Sequence, residues 1–128
     1  FHKNREFKFL DYKSALKIYN INELIMENQE RVSYYLNNID LLFEKSKSLG
    51  STPIFINQLQ YNGHYNQKLF SLNYSLINHC KKKNYKCIDM ASKLDGRKDY
   101  WWDGTHTTAA GSKAIVEIIF PDIKNIVN

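Results

Sequence analysis

The sequence predicts an α/β fold in which parallel strands are flanked by helices. Two short apolar runs, Ile54-Phe55-Ile56 and Tyr85-Lys86-Cys87-Ile88-Asp89, read as strands. Each follows a stretch with apolar residues at helical spacing, and a third helical stretch follows the second run. Strands that alternate with helices are joined by crossovers, and a crossover returns the chain parallel to its first strand.

The elements follow in order. Residues 1–20 are charged and aromatic with mixed periodicity, and read as a helix or irregular lead-in. From about Ile21 to Leu49 the pattern is helical: Val32, Tyr35, Leu36, Ile39, Leu42, Phe43 and Leu49 recur at spacings suited to one stripe. Gly50 is a natural stop. Ser51-Thr52-Pro53 leads into the first strand, which ends at Asn57-Gln58, and Tyr61-Asn62-Gly63-His64-Tyr65 has turn chemistry. A second amphipathic helix is predicted from about Asn66 to Lys83, with Leu69, Leu72, Leu76, Ile77 and Cys80 on one side and Asn84 closing it. After the second strand and a loop with Asp95-Gly96, a last helix runs from about Thr108 to Phe120. Ala114, Ile115, Ile118 and Ile119 form its stripe, and Pro121 is expected to end it. Two strands leave a long apolar edge uncovered, so the pattern reads as part of a domain whose remaining strands come from elsewhere.

Composition narrows the function classes. With 128 residues, 43% hydrophobic and 24% charged, the chain is that of one ordinary globular domain. No apolar run approaches the roughly 18 residues of a membrane span. The net charge of +5 comes from lysine far more than arginine, within a general excess of Lys and Asn, which argues against a nucleic-acid partner. Lys81-Lys82-Lys83 falls at the end of a predicted helix, where cations are favoured by the helix dipole. Cys80 and Cys87 match no zinc or redox motif and are expected as two reduced core thiols, although a disulfide is open to them.

The most chemically suggestive stretch is Tyr100-Trp101-Trp102-Asp103-Gly104-Thr105-His106-Thr107-Thr108. Asp103 and His106 stand three apart in a Gly-containing loop before a helix. At that spacing the carboxylate can accept a hydrogen bond from one ring nitrogen of His106. The other nitrogen is then fixed as an acceptor, as a general base in acyl transfer requires. The bland alternative is a local helix cap. Gln58, at the carboxyl end of a predicted parallel strand, is a candidate substrate contact because ligands bind there in open α/β sheets. Trp101 and Trp102 either line an acyl or sugar pocket or plug a core. His64, with Tyr61 and Tyr65 in the loop after the first strand, either overhangs the cleft at that strand's carboxyl end or, as expected, is an exposed loop histidine. The two residues Asp103 and His106 are too few for a zinc site, and no metal or other cofactor is expected.

From residues 31 to 120 the chain resembles the C-terminal half of the SGNH (GDSL-type) hydrolases. Asp103-Gly104-Thr105-His106 matches that family's last block, Asp-x-x-His, and Thr107-Thr108 and Gly111 look like its continuation into a helix. Tyr35 to Gly50 followed by Pro53-Ile54-Phe55-Ile56-Asn57-Gln58 is similar to a helix-then-strand unit of the family, and Tyr65 to Asp89 to the next. The resemblance implies a flavodoxin-like three-layer α/β/α fold, represented here by its C-terminal part, with residues 1–128 a single partial domain. It implies His106 as general base and Asp103 as its orienting acid in a serine esterase or acylhydrolase. The substrate class would be a small ester or an acylated carbohydrate. The family's Gly-Asp-Ser nucleophile block does not occur in this sequence, nor do its oxyanion-hole blocks. The missing N-terminal half of the domain is therefore the expected partner, and the chain alone is expected to be inactive. Two other readings remain open: an acyl- or acetyltransferase on the same fold, and a non-catalytic α/β binding module.

Overall fold

A computed structural model describes residues 6–128; the first five residues of the predicted lead-in lie outside the described residues. The rest of that lead-in is ordered by local capping. The Asp11 carboxylate accepts from Ser14 N at 2.7 Å and opens helix α1, Tyr12–Ile18. Asn20 does the same for Glu23 N at the start of α2, Ile21–Glu27.

The long helix expected over Ile21 to Leu49 is two helices, α2 and α3 (Gln29–Ser48), which break at Asn28. The Asn28 side chain donates to the Leu24 carbonyl at 2.8 Å, so a side-chain amide competes for the helix's own acceptor. The stripe on α3 is also narrower than expected. Val32 and Ile39 are buried, whereas Leu42 and Leu49 are exposed.

Strand β1 (Ile54–Ile56) and strand β2 (Lys86–Ile88) pair in parallel, with Ile54 opposite Lys86 and Ile56 opposite Ile88. Among the described residues the sheet has these two strands only, and β1 is half-buried rather than buried. Helix α4 (Gln67–Lys83) makes the crossover between them. Asn66 caps its start, and Asn84, in the left-handed region at φ 59°, turns the chain out of it. Its last turn is basic, as the sequence suggested.

That turn brings Tyr85 N to the Cys80 carbonyl at 2.9 Å and lays the end of α4 beside β2. Cys80 and Cys87, with Cα atoms 6.2 Å apart, are joined in a disulfide. This corrects the expectation of two reduced thiols. Seven residues of spacing match no metal motif, but a left-handed turn between helix and strand closes the distance.

Alternation along the strands sends neighbouring side chains to opposite faces. Phe55 and Cys87 pack with Ile39, Leu76 and Cys80 of α3 and α4. Ile56 packs against the cluster that holds Leu59, Met90 and Trp101, and the apolar stripe of the last helix, α5 (Ala109–Val127), packs against the same cluster. The molecule is therefore mixed α/β, mostly helical, with helices against both faces of a small parallel sheet. Helix α5 continues through Pro121, contrary to expectation. Pro121 and Glu117 are exposed, so the Glu117 carbonyl that loses its N–H partner lies on a hydrated face.

The lead-in completes a third cluster. Leu10, Ala15, Leu24 and Phe70 are buried together, with Tyr12 and Tyr19 against them. Leu10 pairs with Gly63 in the loop after β1: Leu10 N donates to Asn62 O at 3.1 Å and His64 N to Leu10 O at 2.8 Å. Gly63 has φ 64°, and a β-carbon there would run into the Leu10 carbonyl.

Candidate active site

The segment from Lys98 to Thr108 forms a small closed hairpin. A 3₁₀ turn, Lys98–Tyr100, leads into Trp101, which bridges antiparallel to Thr107. Trp102 N donates to His106 O at 2.8 Å and Thr108 N to Tyr100 O at 2.9 Å. Trp101 is 5% exposed and packs with Leu59, Met90 and Leu94, so it anchors the hairpin in the core. Thr108 ends it by capping α5, accepting from Gly111 N at 3.2 Å.

Asp103 organises the tip. Its Oδ1 accepts from Thr105 N at 2.8 Å and His106 N at 2.7 Å, and its Oδ2 meets His106 Nδ1 at 2.8 Å. The backbone bonds from Thr105 and His106, then the ring of His106, hold the carboxyl far below the usual carboxylate range. An ionised Oδ2 only accepts, so Nδ1 carries a proton, and in the neutral ring Nε2 presents its lone pair. The His106 side chain is 78% exposed, and no serine or threonine hydroxyl among the described residues is hydrogen-bonded to Nε2. The arrangement is an oriented imidazole with an open accepting edge. It also satisfies backbone donors at the loop tip, so the cap and the pair are one structure.

The loop leaving β1 lies beside this tip, with Tyr61 N donating to Gly104 O at 3.2 Å. Gln58 belongs to that loop, but its side chain is exposed and has no hydrogen bond to Asp103 or His106. What is held there is its backbone: Asn73 Nδ2 donates to Gln58 O at 2.5 Å.

The residue before it, Asn57, is fixed by its side chain. Asn57 is 2% exposed, donates to Asp89 Oδ1 at 2.7 Å and accepts from Ala91 N at 2.8 Å. It thereby ties the carboxyl ends of the two strands together. The only signal in the sequence was its position directly after an apolar run.

His64 is also corrected: it is 2% exposed, not a surface loop residue. Its ring lies against Tyr12 and Phe70, and Nε2 stands 3.0 Å from the Ala91 carbonyl. A carbonyl only accepts, so Nε2 carries the proton. Burial disfavours the imidazolium and lowers the pKa of His64 below its ordinary value.

A second Asp–His pair joins helices rather than lining a cleft. Asp40 Oδ1 on α3 accepts from His79 Nε2 on α4 and from Tyr85 Oη, both at 2.7 Å. Burial, reinforced by the Asp40 carboxylate, pushes the Tyr85 phenol up to about 12. Among the described residues no group of three or more His, Cys, Asp or Glu is placed to hold a metal ion. No helix is long and apolar enough to cross a membrane among them.

Beside the tip lies an open groove of about 640 Å³ lined by Arg97, Lys98, Asp99, Trp101 and Trp102. Trp102 is 72% exposed on its rim, so the two tryptophans divide the expected roles: one plugs the core, the other faces solvent.

No family model, no curated relative and no solved structure matches this chain.

Proposed function

We propose that this chain carries the acid–base half of an SGNH-type acyl-transfer site, on the C-terminal part of a flavodoxin-like sheet. The observation that carries the reading is the Asp103–His106 pair, with Oδ2 to Nδ1 at 2.8 Å and the Thr105 and His106 amides on Oδ1. The nucleophilic serine is supplied by a segment outside these residues. Three features support that part: Nε2 opens to solvent, β1 has one unpaired edge, and Leu41, Leu42, Val116 and Phe120 leave apolar helix surface uncovered.

In the reaction the serine oxygen attacks the ester carbonyl while His106 Nε2 takes the hydroxyl proton. The ester C–O bond then breaks, and His106 returns that proton to the leaving alcohol. Water repeats the sequence on the acyl-serine, releasing the carboxylic acid. Asp103 stays ionised throughout. It holds the tautomer and stabilises the imidazolium that forms in each half-reaction.

The test is hydrolysis of 4-nitrophenyl acetate by the full natural polypeptide. Asp103→Asn should lower kcat by about 10⁴-fold and His106→Ala by about 10⁶-fold, and the 128 residues alone should be no better than free imidazole. A polypeptide that cleaves no ester, or whose His106→Ala variant matches the wild type, refutes the reading and leaves a binding module in its place.

A further inference from the structure

A second cavity lies apart from the Asp103–His106 tip. It holds about 170 Å³ between α4, α1, the loop after β1 and the segment that leaves β2, and none of its lining residues belongs to the hairpin of residues 98–108. Asn57 and Asp89 directly follow β1 and β2, so the cavity sits outside the carboxyl ends of two parallel strands, where open α/β sheets bind ligands. Asn57, His64, Phe70 and Ala91 give it a buried floor, while Asn78 and Lys81 of α4 are exposed at its mouth.

Much of the polar lining is already engaged. Asn57 is spent on Asp89 and Ala91, and Asn73 on the backbone of Gln58. Three groups are not spent. His64 Nε2 carries the proton that meets the Ala91 carbonyl, so Nδ1 is a lone-pair acceptor. That Nδ1 is buried with no hydrogen-bond partner among the described residues. A buried polar atom left unpaired is rare in folded proteins, and it marks a place where a ligand or a water sits. Asp89 gives Oδ1 to Asn57 Nδ2 and Ser92 N and keeps Oδ2 without a hydrogen bond among the described residues. The Lys81 ammonium makes no ion pair among them. The rings of Tyr12 and Phe70 flank the His64 ring, with centroids 5.4 and 5.5 Å away.

We infer that this cavity binds a free amino acid with a small aliphatic side chain, its ammonium against His64 Nδ1 and Asp89 and its carboxylate toward Lys81. An ammonium only donates, and both His64 Nδ1 and the Asp89 carboxylate accept. Aromatic rings beside it favour a cation further. An inorganic anion would meet the Asp89 carboxylate and an accepting nitrogen. A plain amine would satisfy the floor but bring a second cation toward Lys81, and a neutral apolar molecule would leave Nδ1 unpaired. The charges of Asp89 and Lys81 cancel, which a zwitterion matches at both ends. Phe70 and Ile77 supply apolar wall for the side chain. The volume is below the roughly 300 Å³ at which sites for larger organic ligands begin, so the side chain is a short one. None of these residues takes part in the proposed acyl transfer, and the inference stands without that reading.

The test is calorimetric titration of the full natural polypeptide with valine and leucine, each in both enantiomers. Isobutylamine and isoamylamine, which lack the carboxylate, and 3-methylbutanoate and 4-methylpentanoate, which lack the ammonium, are titrated beside them. One of the amino acids should saturate with a Kd of about 1 mM or below, and its two truncated analogues should bind at least about tenfold more weakly. Lys81→Ala, at an exposed position, should weaken the amino acid about tenfold and leave the amine unweakened. With ¹⁵N-labelled histidine, the His64 Nδ1 signal, assigned by its loss in His64→Gln, should shift on saturation as its lone pair accepts. No saturable binding of valine or leucine in either hand overturns the inference and leaves the cavity to water. Equal binding of the amine would remove Lys81 from the site, and an unmoved His64 signal would place the ligand elsewhere; either result overturns it too. The readout is binding at a site with no part in turnover, so failure of the catalytic reading shows in the ester assay and failure of this one shows here.

Discussion

Gly111 offers the sharpest test of how the hairpin is held. It lies in the first turn of α5 and is buried, and a β-carbon built there falls inside the Tyr100 carbonyl oxygen. The same β-carbon would stand 2.9 Å from the Tyr100 carbonyl carbon and 3.0 Å from its Cα. These are backbone atoms, and the Tyr100 carbonyl is engaged by Thr108 N at 2.9 Å, so no side-chain rotation can relieve the overlap. Two effects oppose each other in Gly111→Ala. Helix propensity favours alanine by about 1 kcal/mol. Forcing a methyl into a filled space costs about 1–3 kcal/mol, and an obstruction made of backbone takes the upper end. The net is a loss of about 2 kcal/mol, which at this chain length lowers Tm by about 6–10 °C. Thermal and urea melts followed by circular dichroism measure it, and the amide signals of Asp103, Thr105 and His106 should shift as the hairpin moves. A variant that melts at or above the wild-type temperature would show that propensity wins, and the close approach of Tyr100 to α5 would not be a constraint.

The remaining predictions concern groups whose partners are fixed. Replacing Cys80 and Cys87 together by serine removes a cross-link spanning seven residues and should cost about 2 kcal/mol through loop entropy in the unfolded chain; a wild-type melt indifferent to reducing agent would refute this. His64 has a folded pKa below its unfolded value of about 6.5, so the unfolded chain takes up its proton first. Its contribution to stability is complete above that pH and is lost as pH falls through 6.5 toward the folded value. His64→Gln should flatten this part of the pH–stability curve while lowering stability at pH 8, and an unchanged slope would place the titration elsewhere. Asp103→Asn can still accept from the tip amides, but its NH₂ would donate to His106 Nδ1 and drive the ring proton to Nε2. Ring ¹⁵N shifts of His106 report that exchange of tautomers; an unchanged tautomer would mean that Asp103 does not set it.

What the sequence made legible was what local physics decides. Helix α4 and its Asn66 and Asn84 ends, the two strands and the stripe of α5 follow from periodicity and capping, each within a few residues. What was not legible depended on one side chain competing with a regular pattern, or on the chain returning to itself. Asn28 splits a helix whose apolar spacing runs straight through it, because its amide reaches back to the Leu24 carbonyl. Pro121 stops no helix because it sits on a face where the freed carbonyl meets water. His64 looks like a polar loop residue in the sequence, yet Leu10 returns to pair with Gly63 and closes α1 over it.

The site divides along the same line. A carboxylate at position 103 can reach the amides of 105 and 106 and the ring of 106 without help from the rest of the fold, so the pair could be read from spacing. Gln58 could not be placed that way, since its side chain's direction depends on how Asn73 of α4 grips its backbone. The same geometry bears on chemistry. Because Asp103 is locked by backbone donors rather than by a partner from elsewhere, the orientation of His106 does not depend on what covers the sheet edge. The imidazole is preorganised by its own loop. Any hydroxyl docked against Nε2 would therefore meet a lone pair already in place, without reorganising the imidazole first.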